Sequence, residues 1–183
     1  MKRAGLLALP LILAACGGTS APEAQHRSNG CPHFSGDTDA QSSPTKPQQT
    51  MLLTGVKTAS DRCTDHIVFD FRPAAGAEPA FTVAYRPAKQ AQTEDASGRH
   101  IPIAGKAFLV VRFEPAATAD LSQPKLEITY TGPRSIKPAA SRWVREIAKT
   151  GDFEAVLTWS VGLSEQRPFS VATSPGRLTL VFG

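Results

Sequence analysis

From Met51 onward apolar residues recur at every second position in short runs, a period that suits an extended strand with one buried face. In residues 65–71, Ile67, Phe69 and Phe71 share one parity, and His66, Val68 and Asp70 share the other. Phe81, Val83 and Tyr85 repeat the pattern, as do Leu126, Ile128 and Tyr130. The run 107–113 (AFLVVRF) is apolar on both parities except at Arg112. That predicts a central strand covered on two sides, with Leu109, Val111 and Phe113 on the deeper face and a second packed layer over Phe108 and Val110. Residues 153–163 place Ala155, Leu157, Trp159 and Val161 on one face, with Trp159 read as core. Two final runs flank Ser174-Pro175-Gly176-Arg177, where Pro then Gly suits a type II turn. In 141–149 Trp143 and Ile147 stand at helical spacing, but the alternation around them favours a strand, with Thr150-Gly151-Asp152 as the hairpin turn that follows. Short strands punctuated by Pro and Gly, with scarcely a helical period, predict an all-β chain folded as an antiparallel two-sheet β-sandwich.

The residues before Met51 have a different texture. Lys2 and Arg3 precede a ten-residue apolar run, 4–13, too short to span a hydrocarbon core that needs about 20 residues. A small-residue site ending in cysteine follows: Leu13-Ala14-Ala15-Cys16, then Gly17-Gly18. This arrangement resembles the lipobox of bacterial lipoproteins, in which the cysteine thiol is lipidated and the chain is cut before it. Residues 1–15 then read as a lipoprotein signal peptide and Cys16 as the lipidation site. No later apolar run exceeds five residues, so the expected membrane contact is lipid alone. Residues 17–50 hold no Val, Ile, Leu or Met and one aromatic, Phe34. Such a segment buries too little apolar surface to offset its ordering entropy, so 16–50 reads as a lipidated N-terminus and disordered linker, and 51–183 as the domain.

With Cys16 lipidated, Cys31 and Cys63 are left as a pair in an oxidising compartment, where a disulfide is expected and would fasten the linker's second half to the domain. The alternative reads Cys31-Pro32-His33, with His26, as a metal site, but the spacing matches no standard zinc pattern. No metal and no cofactor is expected.

Basic residues number 20 and acidic ones 16, a net +4. Within 51–183 the balance is 16 basic to 13 acidic, too even for a nucleic-acid-binding protein. The excess sits in residues 134–149, where Arg134, Lys137, Arg142, Arg145 and Lys149 face one acid, Glu146. These five cations and Trp143 are the candidate ligand-binding residues: an indole flanked by guanidinium groups suits a sugar face, and the cations suit the carboxylates and phosphates of envelope polymers. The competing reading is a solvated basic edge with Trp143 turned into the core.

The segment 63–71 (CTDHIVFDF) resembles the opening of AMIN-like domains, a family found on exported lipoproteins, chiefly of high-GC Gram-positive bacteria. Residues 98–115 (GRHIPIAGKAFLVVRFEP), 151–171 (GDFEAVLTWSVGLSEQRPFSV) and 175–182 are similar to that family's later blocks, in order. His66 stands where the family commonly has Arg, and Ala155 where it often has Gly. The resemblance implies a two-sheet β fold and kinship with the AMIN module, which localises cell-wall amidases and secretin components and is thought to bind peptidoglycan. It brings no established catalytic residues with it.

Catalytic motifs are missing: no Gly-x-Ser-x-Gly, His-Glu-x-x-His, Cys-x-x-Cys or glycine-rich phosphate loop occurs. His66, with Asp65 beside it and Asp70 on its own parity, is the one conceivable acid–base group, and a plain half-exposed sheet face explains it more simply. The expected function is therefore that of a non-enzymatic, lipid-anchored envelope protein on the outer face of the cell membrane that binds or scaffolds cell-wall (peptidoglycan) material. The alternative is an accessory lipoprotein whose partner is an envelope protein such as a transporter, sensor or wall-processing enzyme.

Overall fold

Two sheets face each other across one apolar core. The six-stranded sheet runs in the order β1 (Gln41–Ser42), β4 (Phe81–Tyr85), β5 (Ala107–Phe113), β11 (Val156–Leu163), β10 (Val144–Phe153) and β9 (Ser135–Ile136). The five-stranded sheet runs β12 (Phe169–Ser174), β13 (Arg177–Phe182), β3 (Asp65–Arg72), β2 (Met51–Ser60) and β6 (Ala116–Ala117). A small ribbon of β7 (Ala119–Asp120) and β8 (Glu127–Ile128) lies apart from both. Every ladder is antiparallel except the short β2–β6 pairing. These are features of a computed structural model that describes residues 30–44, 46–72, 76–122 and 124–183. The predicted signal peptide and Cys16 lie outside the described residues.

The parity argument locates the core. Ile67 and Phe69 of β3 and Leu178, Leu180 and Phe182 of β13 are fully buried against Leu109, Val111 and Phe113 of β5 and Leu157, Trp159 and Val161 of β11. Phe69 meets Phe113 and Trp159 edge-on, with ring centres 5.1 and 6.0 Å apart, and Tyr130 meets Trp159 at 5.6 Å. Edge-to-face aromatic pairs of this kind add stabilisation beyond the area they bury. β5 is central, paired with β4 and β11. Its second face is covered by a smaller layer in which Phe108 packs with Ala91 of α1 (Ala88–Ala91), Ile103 and Ala148.

The structure departs from the sequence reading at three places. Residues 150–152 continue β10 instead of turning: Gly151 sits at a register shift where a Cβ would fall 2.0 Å from Asp95 Oδ2. The turn comes at Glu154 and Ala155, with φ of 51° and 59°. Neither residue type advertises a left-handed turn, so the glycine drew the prediction away from it. The alternation at Leu126, Ile128 and Tyr130 does not make a core strand, because only Glu127–Ile128 pairs, Leu126 and Ile128 are exposed, and Tyr130 alone reaches the core.

Third, the linker read as disordered up to residue 50 includes residues that lie along the sandwich. Cys31 is bonded to Cys63, Asp37 exchanges two backbone hydrogen bonds with Phe169, and β1 adds to the edge of β4. Backbone pairing and a covalent bond hold this strap, and neither shows in a count of apolar residues.

Two expectations follow. Ala155→Gly relieves a left-handed φ at the β10–β11 turn, so thermal or denaturant unfolding should show a gain of about 0.5–1 kcal/mol. Cys31→Ser opens a loop whose ends are 32 residues apart and should lower stability by roughly 3–4 kcal/mol in the same measurement.

Candidate functional site

Asp65 opens β3 on the same parity as Ile67, Phe69 and Phe71, so its carboxylate points inward, and it is 1% exposed. It accepts hydrogen bonds from the Ser141 hydroxyl at 2.5 Å and from the backbone N–H groups of Arg142 (3.1 Å), Trp143 (2.8 Å) and Val144 (3.2 Å). The Ser141 hydroxyl oxygen in turn accepts the Val144 N–H at 2.8 Å. The chain entering β10 is thereby wrapped around one buried anion. Burial pushes the carboxyl up, but the bonds from Ser141, the Trp143 amide, Ser60 and the Arg142 amide outweigh it and hold the group below the ordinary Asp value.

This wrapping sets Trp143 at a corner of the sandwich, half-buried and packed against the core margin. Two guanidinium groups lie over its ring: Arg167 at 4.5 Å and Arg142 at 5.1 Å from the ring centre. Both are fixed from behind. Arg142 Nη1 donates to the Arg62 carbonyl, and Arg167 Nε and Nη2 donate to the main-chain oxygen of Gly183, the last residue of the sequence, at 3.1 and 2.5 Å. The Tyr85 hydroxyl donates to the Arg167 carbonyl at 2.8 Å and accepts the Arg167 N–H at 2.9 Å, and burial raises its pKa. Arg167 Nη1 meets Glu165 at 3.3 Å. Cations stacked on an indole keep their N–H groups in the ring's periphery, where an oxyanion can accept them.

The six residues singled out in 134–149 do not form one surface. Arg134 pairs with Glu94 at 2.7 Å, and Lys149 pairs with Asp152 at 2.8 Å and is 15% exposed. Lys137 lies 4.0 Å from Glu146. Glu94, held by Arg99, Ser97 and Arg134, has its pKa lowered to about 2. Arg142 and Arg145 make no ion pair among the described residues, and both are exposed. A charge count over 134–149 sees only Glu146, whereas folding brings Glu94 to Arg134, and Asp152, three residues past Lys149, falls just outside the count. Arg167 was missed, and Asp65 was weighed only as an acid beside His66. Arg167 lies eighteen residues past the basic segment and carried no signal, but the inward parity of Asp65 was readable.

Elsewhere, His66 Nε2 is 2.7 Å from Thr64 Oγ1 and 3.9 Å from Asp61 Oδ2. Both partners lie on one ring nitrogen, and Thr64 Oγ1 donates to Asp61 Oδ2 at 3.0 Å, whereas a nucleophile–base–orienter array places the acid on the other ring nitrogen. Among the described residues no three His, Cys, Asp or Glu side chains converge as a metal site, and Cys31 is engaged in the disulfide. A cavity of about 650 Å³ forms a groove at the other end of β2, lined by Gln48, Gln49, Leu52, Arg72, Asp120 and Leu121 among others.

The AMIN-like domain family matches residues 51–182, nearly the whole domain. The chain belongs to that family, and its membership suggests a cell-wall-related binding domain of the kind found in envelope proteins. Comparison with curated proteins and with solved structures finds no match. No described helix is long and apolar enough to cross a membrane.

Asp65→Ala should cost about 3 kcal/mol, because it removes a charged acceptor and leaves buried N–H groups without one. A carboxyl whose folded pKa is depressed stabilises the fold above its unfolded value, near pH 4, and that contribution is lost as pH falls through the folded pKa. Urea unfolding of the Ala variant should therefore show less loss of stability between pH 5 and pH 2 than the parent shows.

Proposed function

We propose that the protein is a non-enzymatic, lipid-anchored envelope module that docks on cell-wall polymer through the Trp143 corner. One observation carries this reading: Arg142 and Arg145 stay exposed and unpaired with acids beside Trp143, and Arg167 joins them from another strand connection, while the remaining cations of 134–149 are matched by carboxylates. Wall polymers present carboxylates and phosphates, and a localised cation cluster meets them better than a dispersed one. The lipid anchor rests on the Leu13–Cys16 box, and it would keep the domain at the membrane's outer face within reach of the wall.

A second reading, a protein partner, has its own support. Leu121, Leu126, Ile128 and Phe153 are 80%, 56%, 54% and 58% exposed, and all belong to the β7–β8 ribbon or the β10–β11 tip beside the groove. Exposed large apolar side chains gathered at one end mark interaction surfaces more often than scattered ones do.

Co-sedimentation of the full exported chain with purified sacculi separates the two. Wall docking predicts binding that weakens steeply with salt, since exposed charges are screened over about 8 Å at physiological ionic strength. Arg142→Glu with Arg145→Glu should abolish most binding while shifting the thermal midpoint little. Unchanged, salt-insensitive binding by the folded double variant removes the corner from the mechanism, and absence of binding by the parent protein favours the protein-partner reading.

A further inference from the structure

The sequence invites a picture in which Trp143 stacks on a sugar. The structure contradicts the geometry this needs, since two guanidinium groups already lie over the ring, at 4.5 and 5.1 Å from its centre. A sugar stacking on an occupied face would have to displace a guanidinium and break the bonds that fix it, to the Arg62 carbonyl for Arg142 or to the Gly183 oxygen for Arg167. We propose that the corner is instead an oxyanion subsite: Arg142 and Arg167 take phosphate or carboxylate groups of the polymer, and Trp143 is the positioning residue that seats them. This rests on the wall-docking reading and names the chemistry of that site.

Four features support it. The guanidinium groups share one aromatic seat, so both lie within about 5 Å of a common point and are no more than about 10 Å apart, a span that neighbouring oxyanions of a polymer bridge. The support of Arg142 is an internal backbone carbonyl, that of Arg62, which consumes one N–H donor without cancelling charge. Arg142 Nε and Nη2 make no hydrogen bond among the described residues. The buried acid nearest by, Asp65, is occupied with Ser141 and backbone amides and does not neutralise the arginines.

Among the described side chains the one carboxylate on the pair is Glu165, 62% exposed and 3.3 Å from Arg167 Nη1. An exposed pair of this kind is weak, so a ligand oxyanion exchanges with it readily. Glu165 thus acts as an internal competitor, and its removal distinguishes the oxyanion subsite from a sugar platform.

The test uses the full chain, sacculi, and soluble poly(glycerol phosphate) as the probe. Glu165→Gln should tighten polymer binding about two- to five-fold, the equivalent of an exposed ion pair. Arg167→Gln should weaken it about ten-fold or more, which is the scale of a charge-assisted bond. Trp143→Leu should lose binding, and Trp143→Phe, which keeps an aromatic seat, should recover most of it. Sacculi stripped of phosphate by hydrofluoric acid and sacculi with amidated carboxylates identify the source: loss on the first assigns phosphate, loss on the second assigns carboxylate, and either supports the subsite. Binding to sacculi that survives both treatments, or Glu165→Gln without effect on the polymer, overturns the oxyanion assignment while wall docking stands. Failure of the parent to bind any sacculi overturns wall docking itself.

Discussion

One buried carboxylate organises the most distinctive part of this molecule. Asp65 stands at the first position of β3, in the five-stranded sheet, and gathers the backbone that opens β10, in the six-stranded one. A desolvated anion is costly unless its lone pairs are filled, and here amides and hydroxyls fill them in place of a cation. Arg142, next to these amides in the chain, is therefore left to turn outward over Trp143. The acid shapes the cationic corner and does not discharge it.

The same strands connect two chemically different ends. β2 leaves the groove end at Leu52 and reaches the corner at Ser60, whose hydroxyl bonds Asp65, a run of about 30 Å for a strand of ten residues. At the corner the surface is arginine and indole. At the groove end a cavity of about 650 Å³ is lined by both apolar and polar residues, among them Leu52, Leu121, Gln48 and Arg72. Membership of the AMIN-like family makes an envelope-binding role the coarse expectation, and the arginine end carries the more specific chemistry for it.

Much of the sandwich was legible because strand parity is a strict signal. Ile67, Phe69 and Phe71, the doubly covered β5 and the Pro175-Gly176 turn all fall where period-two reasoning and turn chemistry put them, with Gly176 at φ 69°. The misplaced hairpin has a physical cause: Gly151 serves close packing against Asp95, while two ordinary residues, Glu154 and Ala155, take the left-handed turn. In the candidate site the sequence exposed Arg142, Trp143 and Arg145 but overcounted its neighbours. Glu94 becomes a neighbour of Arg134 only after folding, Asp152 lies three residues past Lys149 and so just outside the counted segment, and Arg167 reaches Trp143 only because β11 returns beside β10. Asp65 was within reach, since a carboxylate on the inward parity of a core strand must be paired or strained.

Whether the arginine corner is the contact surface can be observed directly by hydrogen exchange on the full chain with and without soluble cell-wall fragments. The account predicts slowed exchange in the segments 141–146 and 165–168, with 48–53 and 117–122 at the groove end unchanged. Protection that appears at the groove end and leaves 141–146 and 165–168 untouched would contradict it.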